Sequence, residues 1–112
     1  GEKYFRDLET QVIKDISSKG CQIISTGGGA ILRKENVNSL KRNGKLFFLN
    51  ANPDRLLPTD SRPLSDTVEK LKKLYDERID TYKITADVIV PDMETPDEEA
   101  EFILKARTEL IM

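Results

Sequence analysis

Histidine and tryptophan are absent from this sequence, and cysteine occurs once, at Cys21. Without histidine there is no Ser–His or Cys–His relay and no histidine-containing zinc site. A single thiol makes no internal disulfide and no thiolate metal site, and it suits a reducing, cytoplasmic setting. Cys21 is expected on a buried strand, as a small hydrophobe and not a nucleophile. No apolar run approaches the roughly 20 residues of a membrane-spanning helix, and no signal-peptide pattern stands at the start. With 18 Lys and Arg against 20 Asp and Glu the net charge is −2. The basic excess that nucleic acid or an anionic membrane would require is therefore missing. What remains to do chemistry is carboxylate, guanidinium, ammonium and backbone N–H. Those groups point to anionic substrates and phosphoryl groups, or to binding without chemistry, and they compose no metal site of their own.

The 112 residues, 38% apolar and 34% charged, have the composition of one soluble domain (1–112) with a small core. Phe5, Leu8, Val12 and Ile16 recur at helical spacing with Tyr4 and Ile13 beside them, predicting a helix over 4–18 that Gly20 closes. "CQIIST" (21–26) reads as a buried strand, followed by a glycine turn and a helix over 34–42 that stops at Asn43–Gly44. "KLFFLN" (45–50) reads as a second buried strand. Asn52–Pro53 opens a short helical turn and 57–64 a loop. A long helix is predicted over 65–82, with Val68, Leu71, Leu74, Tyr75 and Tyr82 on its stripe. "ADVIVPD" (86–92) is a third strand. A last helix over 97–111 carries Ala100, Ile103, Leu104, Arg107 and Ile111 on one side and an acidic start that suits its dipole. Strands alternating with helices imply a three-layer α/β/α arrangement around a parallel sheet.

Gly27–Gly28–Gly29 between a strand and a helix offers bare backbone at the sheet edge where α/β proteins bind ligands. A tight turn packed against a neighbour explains it equally well. The dinucleotide fingerprint fails on spacing and no lysine follows the glycines. The other Gly–Lys pair, Gly44–Lys45, has Ser39 and Leu46 where a phosphate loop needs glycine and Ser/Thr. Arg78 falls on the apolar stripe of its helix, where a charge is costly unless a carboxylate or a ligand anion pairs it. Arg6 is flanked by Glu2 and Glu9 at i−4 and i+3. That pattern is either a surface ladder or a guanidinium fork held ready for a carboxylate. Arg62, before Pro63, is a loop arginine of the kind that clamps phosphates, or one that does nothing.

Taken in order, Gly1–Glu2–x–x–Phe5–Arg6–x–x–Glu9, Thr26–Gly27–Gly28–Gly29–Ala30, Arg62–Pro63–Leu64, Glu77–Arg78–x–x–x–Tyr82 and the following "ADVIV" resemble shikimate kinase along the whole chain. The resemblance implies a P-loop kinase fold and transfer of the ATP γ-phosphoryl, with Mg²⁺, to the 3-hydroxyl of shikimate. It implies that Arg6 and Arg78 hold the shikimate carboxylate and that Glu9 orients Arg6. Gly28 and Gly29 would offer backbone contacts. Arg62 would sit in a lid over about 53–64, shorter than in most members, as a catalytic and nucleotide-facing residue, and Pro96 would lie on the adenine side.

The family's first two strands, its Walker A loop and its Asp-x-Asp segment have no counterpart in these 112 residues. The expectations are a piece of a shikimate kinase, inactive by itself, with an incomplete sheet. The family strand order 2-3-1-4-5 leaves a slot between "CQIIST" and "KLFFLN", which predicts direct pairing of those strands or self-association through the gap. Two other readings stay open: a non-catalytic binding domain using only the Arg6, Arg78 and glycine pocket, and a kinase for another small polyol acid, such as a gluconate-kinase relative.

Overall fold

The structure, a computed structural model, describes residues 1–50 and 64–111. The helical turn expected at Asn52–Pro53, most of the lid stretch and Arg62 lie outside the described residues. The chain divides into two compact units, Gly1–Leu46 and Phe47–Met112.

The first unit contains α1 (Glu2–Ser17), a 3₁₀ turn (Ala30–Leu32) and α2 (Lys34–Arg42). Its core joins Ile13 of α1, Ala30 of the turn and Leu40 of α2, with Ile24 and Leu46 packed against them. The expected stripe of α1 is thus displaced. Phe5, Leu8 and Val12 are each about half exposed, at 52%, 47% and 51%, while Ile13 is buried. Glycine does not close α1 either. The helix ends at Ser17 because side chains satisfy its last carbonyls: Ser18 Oγ donates to the Asp15 carbonyl at 2.7 Å, and Asn43 Nδ2 donates to the Ser17 carbonyl at 3.0 Å. The left-handed residue beyond it is Cys21 (φ 59°), not Gly20.

Residues 21–26 correct the expectation of a buried strand. Cys21 is exposed and Ile23 fully so, and among the described residues the segment joins no strand ladder. An extended backbone becomes a strand only when a neighbour takes up its N–H and C=O groups. Hydrophobic composition alone does not supply that neighbour.

The second unit contains β1 (Phe47–Leu49), α3 (Leu64–Thr85), β2 (Val88–Val90) and α4 (Pro96–Ile111). The strands pair in parallel, Phe47 with Val88 and Leu49 with Val90, and the ladder continues as the Asn50 N–H donates to the Val90 carbonyl at 2.9 Å. Val90 is fully buried. Phe48 meets Tyr82 of α3 with ring centroids 5.2 Å apart, and Tyr75 Oη donates to Asn50 Oδ1 at 2.9 Å, which fixes the strand end beneath α3. Thr95 caps α4 by accepting the Glu98 N–H at Oγ1, and Pro96 takes the first helical position, where its missing N–H costs nothing. The inward side of α4 carries Phe102, Ile103 and Ala106. Leu104 and Arg107, expected on that side, face outward. Among the described residues no helix is long and apolar enough to cross a membrane.

Candidate functional site

In the first unit, helical spacing sets Glu2, Arg6 and Glu9 on one side of α1. Arg6 Nε donates to Glu2 Oε1 at 3.0 Å and Nη1 donates to Glu9 Oε1 at 2.9 Å. The Arg6 and Glu9 side chains are 24% and 18% exposed, so this pair is shielded more than a surface ladder, whereas Glu2 is open to solvent at 79%. The hydrogen bonds to Glu9 first and Glu2 second raise the guanidinium pKa above its ordinary value, and Arg6 is cationic at any working pH. The Phe5 ring lies 5.1 Å beneath Cζ. Two carboxylates take Nε and Nη1 and leave the Nη2 protons unclaimed by either.

Nη2 stands against the glycine turn. A Cβ placed on Gly29 would lie 2.5 Å from Arg6 Nη2 and 2.7 Å from Nη1. Only glycine permits that approach. Gly27 is required for another reason: its φ of 70° is the left-handed conformation, and open space surrounds the position of its missing Cβ. Gly28 is exposed between them. The structure therefore brings Arg6, Glu9 and Gly29 together as a fixed cationic fork beside bare main chain. Next to it, a cleft of about 290 Å³ lies between the apolar side of α1 (Phe5, Leu8, Val12) and the stretch Ile24–Thr26.

Arg78 belongs to the second unit. It is half-buried in line with Leu71, Tyr75 and Tyr82, as its spacing predicts. Among the described residues no carboxylate forms an ion pair with it. Pro96 is exposed at the start of α4.

Four polar residues of this region escaped the sequence reading. Arg33 Nη1 reaches back to α1, to Asp7 Oδ1 at 2.9 Å and Thr10 Oγ1 at 3.2 Å. Thr10 Oγ1 in turn donates to the Arg6 carbonyl at 3.0 Å. Asn36, 1% exposed, donates from Nδ2 to the Ala30 carbonyl at 2.8 Å. The available signal was an asparagine at an inward position of α2, where an apolar residue is expected.

The shikimate kinase family model matches residues 1–108. The shikimate kinase of Thermodesulfovibrio yellowstonii is 40% identical over 112 residues, an alignment covering 94% of this chain and 65% of that protein. The chain spans 65%, 56% and 53% of the length of three curated relatives. Among solved structures, the shikimate kinase of Aquifex aeolicus superposes with a TM-score of 0.80 at 33% identity, over 100% of this chain and 69% of its own. That of Acinetobacter baumannii, solved in complex with shikimate, superposes with a TM-score of 0.80 at 24% identity, over 97% of this chain and 66% of its own, a likeness of fold. With that match running from the first residue nearly to the last, and an incomplete parallel α/β fold shared with those kinases, the chain belongs to the shikimate kinase family.

Proposed function

We propose that this chain carries the acid-binding part of a shikimate kinase, an enzyme that phosphorylates the 3-hydroxyl of shikimate with ATP and Mg²⁺ in the cytoplasm. The observation that carries the reading is the Arg6 fork, held by Glu9 at 2.9 Å and set against Gly29, where any Cβ would displace the guanidinium from its pose. Arg6 and Arg78 take the substrate carboxylate. Guanidinium binds it through paired, charge-assisted hydrogen bonds, and Arg78 is half-buried with no described carboxylate to neutralise it. Glu9 orients Arg6, and Gly28 and Gly29 offer main-chain groups to the ring hydroxyls. The role of Arg62 is to stabilise charge on the transferring group, and that of Pro96 is to line the adenine side.

The residues in hand supply the acid end of this reaction and, of the nucleotide end, only Arg62 and Pro96. The sequence has no Gly-x-x-x-x-Gly-Lys-Ser/Thr loop, and among the described residues no three Asp, Glu, His or Cys side chains cluster to hold a cation. Phosphoryl transfer depends on positioning and charge neutralisation by such parts. The 112-residue polypeptide by itself is therefore expected to bind shikimate and not to turn over. The test is a shikimate titration followed by NMR, in which Arg78→Ala abolishes the shifts seen with the unaltered chain, together with a coupled assay with ATP and Mg²⁺. An unaltered chain that ignores shikimate defeats the reading. Turnover comparable to that of a full-length relative defeats the assignment of its parts.

A further inference from the structure

We propose that Arg33 and Asn36 are positioning residues that hold the turn Gly27–Ala30 against Arg6 and so set the geometry of the acid site; the consequence for shikimate rests on the functional reading above. The turn leaves the glycine run through Ala30, and Asn36 reaches the Ala30 carbonyl from α2 at 2.8 Å. That carbonyl also accepts the Arg33 N–H at 3.4 Å, so side chain and main chain converge on one atom directly after Gly29. Arg33 then ties the end of the same turn to α1. Its Nη1 pairs with Asp7 at 2.9 Å and Thr10 at 3.2 Å, with Glu35 more distant at 3.9 Å. Asp7 adjoins Arg6 on its helix and Thr10 lies one turn after it, where Thr10 Oγ1 donates to the Arg6 carbonyl at 3.0 Å. The two side chains thus tie the chain just after Gly29 to α2 and to α1.

Stability alone does not account for Asn36. Its Oδ1 is buried with no hydrogen-bond partner among the described residues, a cost that an apolar side chain at the same place would avoid. The side chain instead directs its one hydrogen bond among the described residues to the carbonyl directly after Gly29. Arg33 spans 26 residues to Asp7, so it fixes a distance that neither helix sets locally.

The test uses the 112-residue chain, with two readouts: the ¹H–¹⁵N resonances of the Gly28 and Gly29 amides and the Arg6 Nε–H, and the affinity for shikimate. Arg33→Gln withdraws the cation from Asp7, and Asn36→Leu removes the donor to the Ala30 carbonyl at similar side-chain size without burying a charge. Both are expected to move those resonances and to weaken shikimate binding about tenfold. Arg33→Lys, which keeps a cation beside Asp7, should stay within about threefold of the unaltered chain. Resonances unmoved in both substitutions overturn the proposal, and so does an affinity loss in Arg33→Lys equal to that in Arg33→Gln. If Asn36→Leu fails to fold, the Arg33 pair decides. If the unaltered chain takes up no shikimate, the functional reading falls and the resonances alone judge the positioning.

Discussion

Replacing Gly29 by alanine separates recognition from stability. The Gly29 backbone lies at φ −98° and ψ −15°, a region any L-residue adopts, so the substitution introduces no backbone strain. Alanine also has less conformational freedom to lose on folding, which favours the native state by about 0.4–1 kcal/mol. Against this, the new methyl would stand 2.5 Å from Arg6 Nη2, 2.7 Å from Nη1 and 2.8 Å from Cζ, where ordinary van der Waals contact begins roughly 1 Å farther out. The guanidinium is the end of a flexible side chain and will yield. In yielding, it leaves the pose in which Nη1 donates to Glu9 at 2.9 Å. The expected outcome for Gly29→Ala is a melting temperature equal to or slightly above that of the unaltered chain, with shikimate binding weakened tenfold or more, since a charge-assisted, bidentate contact is lost. Thermal melts followed by circular dichroism and a calorimetric titration with shikimate measure the two quantities on one sample. Unchanged affinity would refute the claim that the Arg6–Gly29 contact builds the site. A large fall in melting temperature would refute the claim that the glycine serves approach and not folding.

Gly27→Ala should behave in the opposite way: with φ at 70° and open space around the missing Cβ, the cost is backbone strain alone. A destabilisation of about 1 kcal/mol is expected, read as a melting temperature about 4–8 °C lower, and a smaller drop than in Gly29→Ala would reverse the assignment of the two glycines. Asp7 gives the pH dependence. Its hydrogen bond from Lys3 first, and from Arg33 second, holds its carboxyl below the ordinary 3.8, so it stabilises the fold above that value and loses the contribution as pH falls through the lowered folded pKa. In urea titrations Asp7→Asn should therefore be the less stable chain near neutral pH and converge with the unaltered one as pH falls through the lowered pKa; a gap that widens on acidification would contradict the ion pair with Arg33.

The parts of this molecule legible in its sequence are those decided within a few residues. The helices over 34–42 and 97–111 match the structure to within a residue, because end signals act locally: Asn43 follows the last residue of α2, Thr95 caps α4, and Pro96 fills its first position. The Arg6 fork was legible for the same reason, since i−4 and i+3 spacing fixes which carboxylates it meets. What the sequence did not disclose depends on partners far along the chain. "CQIIST" has strand composition, but a strand is a relation between two backbones, and among the described residues 21–26 pairs with none. The stripe of α1 was misjudged on the same principle: periodicity names an apolar side, and only a packed neighbour buries it. Here that neighbour is the Ala30–Leu40 surface, which selects Ile13 over Phe5, Leu8 and Val12. The Arg33–Asp7 pair bridges 26 positions with no local signature, so it was the least visible contact of the first unit. A guanidinium flanked by carboxylates can be read from its letters, whereas its approach to Gly29 depends on a turn far along the chain and becomes evident only once the chain has folded.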